Sequence, residues 1–269
     1  MNTGAEFYVR SLCDKSSIGY SFSGNFSNPS NAADRDLTTY AITSGADTDV
    51  WPPTLPANAL FEIDLTNAQV VDTIFLRSNM AAFQVYVDNP LGAGDPPDDL
   101  VYANYSNTSE MVKIDLRAAL AGRTVSKVLI AGFGTIIPNQ EKRIIEVDIT
   151  RRIADLYISG MPTNEQIYAR VSTTNLKGGS IQLIPFPSFP KMHTVLDVKN
   201  LAALQATYDL IKSYFIIDAC LVYLYVSDQI RQLDSGALYL MNDLSDKINS
   251  PSANVTVGGV DGTFELLEV

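Results

Sequence analysis

The sequence predicts a mainly β fold, in which an N-terminal β-sandwich is followed by a β-rich domain with one packed helix. Three observations support this fold class. Short runs of residues alternate between apolar and polar types with the period of two that a half-buried strand requires. Loops rich in Pro, Gly and Asp separate these runs, and apolar residues recur at helical spacing in one good stretch. The chain of 269 residues, 46% of them hydrophobic, is long enough for two domains that each bury a core.

The strand pattern of the N-terminal half is clearest in residues 60–65 and 71–76, and residues 66–69 between them predict a turn. Short, regularly spaced strands without a long helix are typical of a sandwich or jelly roll. The predicted strands of this half are 60–65, 71–76, 82–87, 100–105, 111–116, 125–131 and 144–149.

A break in the pattern near residues 150–163 predicts a domain boundary. Arg151 and Arg152 end the strand at 144–149, and residues 159–162 have the composition of a turn. We therefore expect a β-sandwich at residues 1–152 and a β-sandwich-plus-helix assembly domain at residues 153–269.

The C-terminal half begins with a predicted hairpin, in which residues 167–172 and 180–184 flank a turn at 175–179. The segment 185–190 is punctuated by Pro and cannot lie inside a sheet. One helix is predicted from apolar residues at helical spacing, namely Leu201, Leu204, Tyr208 and Ile211. Further strands are predicted at 215–226 (buried), 236–240, 254–257 and 263–267.

Charge and hydropathy limit the range of partners. The net charge of −11 argues against nucleic-acid binding, because neutralising phosphates requires clustered Lys and Arg side chains. The longest apolar run, residues 214–226, is interrupted by Asp218 and is far shorter than the ~20 residues of a membrane span. Residues 1–8 contain Glu6 and lack a continuous apolar segment, so we expect no targeting signal and no membrane insertion.

The sequence contains no recognisable catalytic set. His193 is the only histidine, and no Ser or Cys motif lies beside it. There is no nucleophile elbow, phosphate-binding Gly loop or zinc-spaced His/Cys cluster, so we expect no enzymatic activity. The two cysteines, Cys13 and Cys220, fall in different predicted domains, and we expect two thiols rather than a disulfide.

The N-terminal half resembles the discoidin family, also called the coagulation-factor type C or galactose-binding-like fold. Four segments carry the resemblance in order, and they are 31–40 (NAADRDLTTY), 60–65 (LFEIDL), 71–76 (VDTIFL) and 143–147 (RIIEV). The resemblance covers about residues 10–150 and implies a β-sandwich whose loops vary among members that bind sugars, lipid head groups or proteins. The chain departs from the family pattern at Arg35 and Thr66, where Gly is usual, and at Ala41, where Trp is usual.

The same resemblance implies a structural cation, typically calcium, held between the early Asp loop and the closing strand. The residues that match those positions are Asp34, Asp36, Thr39 and Glu146. Alternatively, Asp34 and Asp36 cap a turn and Glu146 faces solvent.

One aromatic residue is a candidate for ligand binding. Trp51, beside Pro52 and Pro53, is predicted to lie exposed at the rim of the sandwich, where its ring can stack on a ligand. Alternatively, Trp51 plugs the bottom of the sandwich.

Two functions are compatible with these observations. The first is a structural virion protein of a tailed phage, a tail-tip or baseplate component that assembles into a ring in the host cytoplasm. The C-terminal order of strand, strand, helix and long strand is similar to the ring-forming domain of phage tail-tube and distal-tail proteins, and the discoidin-like domain then serves as decoration or host adhesin. Its expected partners are copies of itself, other tail proteins and a host cell-surface glycan. The alternative function is a carbohydrate-binding module without catalytic activity.

Overall fold

The computed structural model describes residues 4–9, 11–13, 19–34, 36–44, 59–88 and 99–157, and beyond these Leu210 and the strands of the C-terminal part. The fold is mainly β, as predicted. The strands are β1 (Gly4–Val9), β2 (Ser21–Gly24), β3 (Phe26–Ser27), β4 (Ala41–Thr43), β5 (Leu60–Val70), β6 (Thr73–Ser78), β7 (Met80–Val87), β8 (Asp99–Asn104), β9 (Met111–Asp115), β10 (Thr124–Thr135), β11 (Arg143–Thr150), β12 (Arg152–Tyr157), β13 (Thr163–Gln166), β14 (Val171–Asn175), β15 (Ile181–Pro185), β16 (Lys191–Val198), β17 (Leu221–Val226), β18 (Ala237–Asp243) and β19 (Gly262–Glu268). A 3₁₀ helix spans Pro29–Ala33, and a short helix, α1, spans Arg117–Leu120.

The chain divides into two compact units, Val9–Arg152 and Met1–Tyr8 with Ile153–Val269. The second unit contains a seven-stranded sheet in the order β12-β1-β17-β18-β19-β16-β13. Because β1 hydrogen-bonds within this sheet, the division differs from the predicted domain 1–152 by its first eight residues.

The Val9–Arg152 unit is a sandwich of two five-stranded sheets, ordered β2-β5-β10-β7-β8 and β3-β4-β11-β6-β9. Every strand pair with a recorded register in these sheets is antiparallel. One buried cluster joins both sheets, with Ile63 of β5 and Ile130 of β10 on one side and Leu76 of β6 and Val147 of β11 on the other. Alternating apolar residues thus face each other across a common core, as the sequence pattern predicts.

The strands predicted for the N-terminal half are confirmed as β5 to β11, although β5, β7, β10 and β11 are longer than predicted. The turn predicted at residues 66–69 is wrong. Thr66 has φ 50°, its amide donates to Asp64 Oδ1 at 2.8 Å, and the pairing with β10 shifts register between Val125 and Lys127. Because β10 offers hydrogen-bonding partners as far as Val70, β5 continues past this irregularity.

The 3₁₀ helix places the loop that leads to β4. It begins at Pro29, whose fixed φ suits a helix start, and follows Asn28 in the left-handed conformation at φ 52°. Ala32 is fully buried in the sandwich core. This anchor fixes where residues 36–40 emerge at the end of the sandwich.

In the second unit, the predicted hairpin is present as β14 and β15, with Val171 opposite Pro185 and Asn175 opposite Ile181. The prediction that Pro185 lies outside a sheet is wrong, because Pro is tolerated at the end of a strand, and Asn175 ends β14 rather than opening the turn. The strands β17, β18 and β19 fall on the predicted segments 215–226, 236–240 and 263–267. Except for Leu210, which is helical and exposed, the predicted helix lies outside the described residues. The segments 186–190 and 254–257 lie outside them as well.

Cys13 is buried and forms no disulfide, as expected, whereas Cys220 lies outside the described residues. Within the described part of the chain, we find no helix with the length and apolar character needed to cross a membrane.

Candidate functional site

A cleft of about 460 Å³ lies at one end of the sandwich. Four connections meet there: the loop before β4, the β6–β7 turn, the β8–β9 loop and the β10–β11 connection. This volume falls in the range of small-molecule sites, roughly 300–1,000 Å³. We call it the end cleft.

The end cleft combines an apolar lining with polar side chains. Its apolar and aromatic lining consists of Leu37, Tyr40, Ile136, Ile137 and Ile145. Its polar lining consists of Thr38, Asn79, Thr108, Glu110, Gln140 and Arg143. Leu37 and Ile137 are 55% and 62% exposed, so aliphatic surface is presented to solvent at the end cleft. Such a mixture suits a small ligand that has both hydrogen-bonding groups and apolar surface.

Asn79 holds one wall of the end cleft in place. Its Nδ2 donates to the carbonyl of Glu141 at 2.8 Å, and its Oδ1 accepts from the amide of Arg143 at 2.7 Å. Its backbone amide donates to the carbonyl of Arg143 at 3.2 Å, and its carbonyl accepts from the amide of Ile136 at 2.8 Å. Asn79 therefore joins the β6–β7 turn to the whole β10–β11 connection.

Asn107 fixes the β8–β9 loop through side-chain hydrogen bonds to backbone carbonyls, as Asn79 does for its wall of the end cleft. It is buried, and its Nδ2 donates to the carbonyls of Met80 at 2.8 Å and Ser109 at 2.7 Å. The backbone carbonyl of Glu110 accepts from the amide of Ser78 at 2.7 Å. Between these anchors, Thr108 and Glu110 project from a loop whose backbone is well tied down.

Tyr40 and Arg143 form the most distinctive pair of the end cleft. The guanidinium carbon of Arg143 lies 4.8 Å from the centroid of the Tyr40 ring, a cation–π contact. Arg143 Nη2 is 3.7 Å from Glu141 Oε2, which is too long for a hydrogen bond. The Arg143 side chain is 42% exposed, yet its Nε is buried and has no hydrogen-bond partner among the described residues.

Three polar side chains of the end cleft are exposed and available for hydrogen bonding. In the described part of the chain, the side chains of Thr108, Glu110 and Gln140 make no hydrogen bond, although all line the end cleft. They offer a hydroxyl, a carboxylate and an amide, which together can donate and accept.

The residues predicted to hold a cation divide between a loop and a strand. In the loop, Asp34 Oδ1 accepts from the Asp36 amide at 2.9 Å, and Asp34 Oδ2 accepts from the Thr39 hydroxyl at 2.7 Å. Asp36 Oδ1 accepts from the Thr38 hydroxyl at 2.6 Å and the Thr38 amide at 2.9 Å. These two hydrogen bonds lower the pKa of Asp36, and the bond from the Thr38 hydroxyl has the larger effect. The two carboxylates thus cap turns, as the alternative interpretation has it.

Glu146, the fourth predicted cation ligand, lies half-buried on β11, opposite Arg77 of β6. Among the described residues, no three His, Cys, Asp or Glu side chains form a group suited to a metal ion. A carboxylate that caps a turn keeps further lone pairs for a cation, so the calcium prediction stays a prediction. Trp51, the predicted stacking residue, lies outside the described residues.

Most of the residues that form the end cleft could not be identified from the sequence alone. Tyr40 falls in the segment that carries the family resemblance, but the sequence around it does not indicate a contact with Arg143. The two meet because β4 pairs with β11, with Ile42 opposite Arg143. The only sequence signal was indirect, since polar residues at the ends of predicted strands tend to meet at one end of a sandwich.

No protein-family model matches the sequence, and no curated protein matches it. One similar solved structure is chitosan-binding module 1 of a chitosanase/glucanase from Paenibacillus sp. IK-5, at 16% identity and a TM-score of 0.37, covering 52% of this chain and 97% of that one. Another is CpGH89CBM32-4 of Clostridium perfringens in complex with GlcNAc-α-1,4-galactose, at 21% identity and a TM-score of 0.38, covering 54% and 94%.

A third is the family 32 carbohydrate-binding module of C. perfringens NanJ in complex with galactose, at 12% identity and a TM-score of 0.37, covering 54% of this chain and 99% of that one. All three are named as carbohydrate- or chitosan-binding modules, and none of them is a phage tail protein. At these TM-scores, the similarity carries no argument about the ligand of this chain. The prediction of a virion component finds no support in these structures. What the fold and the end cleft define together is a β-sandwich with a cleft of mixed polar and apolar lining at one end.

Proposed function

We propose that the Val9–Arg152 unit is a carbohydrate-binding module that holds a sugar in the end cleft. The observation that carries this proposal is the Tyr40–Arg143 pair together with Thr108, Glu110 and Gln140, whose side chains make no hydrogen bond in the described part of the chain. A sugar presents hydroxyl groups that must be hydrogen-bonded once water is displaced. It also presents C–H faces, which Leu37 and Ile137 can pack against.

The hydroxyl groups of a sugar both donate and accept hydrogen bonds, and the end cleft matches both. Glu110 accepts, Arg143 donates, and Gln140 and Thr108 do both. Because Asn79 and Asn107 already fix the surrounding loops, binding would order little additional backbone. A site organised in advance loses less conformational entropy when it binds.

We propose binding without chemical turnover. Glycoside hydrolysis requires two carboxyl groups roughly 5–9.5 Å apart on either side of the bond to be cleaved. Glu110 is the one carboxylate among the described residues that line the end cleft. His193 lies on β16 in the other unit, opposite Asn164. The prediction that the chain is no enzyme agrees with this proposal and stays a prediction.

Glycan-array screening of the full chain, followed by calorimetric titration of the sugars it retains, tests the proposal. The informative variant is Gln140→Ala, which removes one amide from the end cleft. We expect its affinity to fall about three- to ten-fold, as for one hydrogen bond to a ligand. Its matched control is Gln69→Ala, because Gln69 pairs with Val125 at the far end of β10.

Two outcomes would contradict the proposal. One is an array on which the folded chain retains no sugar. The other is a retained sugar whose affinity is changed equally by both variants, because that sugar would bind elsewhere.

The tail-tip function and its virion partners stay a prediction, since no contact in the described residues favours them. Light scattering of the full chain tests this prediction, because ring assembly requires a closed oligomer. A monomer at working concentrations would contradict it.

A further inference from the structure

The guanidinium group of Arg143 is partly buried but lacks hydrogen-bond partners among the described residues. Its Nε is buried without a hydrogen-bond partner, and the group makes no hydrogen bond to the described residues. Its charged neighbour, Glu141, is 3.7 Å away from Nη2. Arginine side chains with a buried nitrogen ordinarily satisfy their donors, because an unpaired donor removed from water destabilises the fold.

The contact with Glu141 is easily replaced. Both side chains are substantially exposed, 42% for Arg143 and 37% for Glu141. Exposed ion pairs of this kind contribute little to stability, since water and salt screen them. A ligand carboxylate can therefore take the place of Glu141 without a large loss of native interaction.

Neighbouring groups hold Arg143 in position, although the carboxylate of Glu141 is 3.7 Å from its Nη2. The guanidinium carbon lies over the Tyr40 ring, 4.8 Å from its centroid, and the Arg143 amide donates to Asn79 Oδ1 at 2.7 Å. The guanidinium nitrogens make no hydrogen bond to the described residues. A guanidinium edge matches the two oxygens of a carboxylate, which it can bind with two parallel hydrogen bonds.

We propose that the sugar bound in the end cleft is acidic, and that its carboxylate is bound by Arg143. This inference rests on the proposed function, since it specifies the class of sugar for the same site. Glu110 also lines the end cleft and carries the opposite charge to Arg143. It therefore favours a ligand that places its carboxylate at Arg143 and its hydroxyl groups towards Glu110.

The test compares three methyl glycosides that differ at one carbon: galacturonide, its uncharged methyl ester and galactoside, with the matching glucose series in parallel. The full chain is titrated with each at neutral pH by calorimetry or NMR. We expect the acid to bind about ten-fold more tightly than its ester, as for a charge-assisted hydrogen-bonded pair. The ester and the neutral glycoside should bind alike.

Two variants assign the preference to this site. Arg143→Gln should abolish the difference between acid and ester, whereas Glu110→Gln should increase it about two- to three-fold, because a like charge is removed. Arg143→Lys keeps the charge without the planar edge, and it should retain only part of the preference.

Equal affinity of the unaltered chain for acid and ester overturns this inference and leaves the proposed function standing. Retention of the full preference in Arg143→Gln also overturns it. Failure of all six glycosides to bind overturns it as well, whereas the proposed function fails only where the glycan array retains no sugar. The comparison of acid and ester on the unaltered chain remains decisive even where Arg143→Gln fails to fold.

Discussion

Asn79 is the residue on which the geometry of the end cleft depends most, and the substitution Asn79→Ala tests this. The change removes the hydrogen bonds at 2.8 Å to the carbonyl of Glu141 and at 2.7 Å from the amide of Arg143. Each contributes about 1 kcal/mol, and a half-buried backbone group left without a partner adds about 1 kcal/mol more. We therefore expect the free energy of unfolding of the sandwich unit to fall by about 2–3 kcal/mol.

Differential scanning calorimetry of the full chain provides the measurement. For a unit of this size, melting falls about 2–4 °C per kcal/mol, so the transition of the sandwich should fall by roughly 4–12 °C. The matched control is Asn104→Ala, because Asn104 makes one exposed hydrogen bond, at 3.1 Å to the amide of Ser106. An exposed hydrogen bond contributes about 0.5 kcal/mol, so this variant should shift the transition by about 1–2 °C. Equal shifts for the two variants would refute the role assigned to Asn79.

Three further predictions concern the sandwich unit. Gly24 has φ 105°, and a Cβ there would lie 2.1 Å from the carbonyl oxygen of Leu60, so Gly24→Ala should lower the free energy of unfolding by about 2–4 kcal/mol. Gly122→Ala, at φ 81° with nothing within 4 Å, should cost only about 1–2 kcal/mol in denaturant titrations, and equal losses would contradict the clash. Hydrogen bonds from Arg117 lower the pKa of Asp115 to about 2. The ionised Asp115 carboxylate should therefore stabilise the fold fully above about pH 4, and this stabilisation should be lost as the pH falls towards 2. Asp115→Asn should flatten that part of the curve of stability against pH, and an unchanged curve would exclude Asp115 as its source. If the loop at Asp34 binds calcium, millimolar calcium should raise the melting temperature of the chain but not that of Asp34→Asn, and no shift in either would end the cation prediction.

The longer strands, β5 to β11, could be predicted because their sequences alternate over enough residues to show a period. The short strands β2, β3 and β4 could not, since they have only four, two and three residues. The error at Thr66 has another cause. A short polar segment predicts a turn unless a partner strand continues beside it, and that partner, β10, is distant in sequence.

The end cleft was harder to predict than the core for a related reason. A core residue can be predicted from its place in a periodic apolar pattern. Tyr40 and Asn79 belong to no such pattern, because Tyr40 lies just before β4 and Asn79 is the single residue between β6 and β7. Their meeting with Arg143 depends on the pairing of β4 and β6 with β11, which local sequence does not specify. Of the connections at this end of the sandwich, only the loop with Asp34 and Asp36 was singled out from the sequence, and the family resemblance pointed to it.

Stability and binding are linked in this arrangement, because the same hydrogen bonds close the sandwich and build the end cleft. Asn79 holds the backbone of Arg143, and Arg143 is the proposed ligand contact. A ligand that binds only the folded unit stabilises it by about 2.7 kcal/mol at a hundred times its Kd. This is close to the loss expected for Asn79→Ala, about 2–3 kcal/mol. A saturating sugar should therefore return the variant to near the melting temperature of the unliganded native chain, provided that Asn79 contributes to the fold more than to affinity. If the sugar raises the native transition but not that of the variant, Asn79 acts chiefly by holding Arg143 in position to bind.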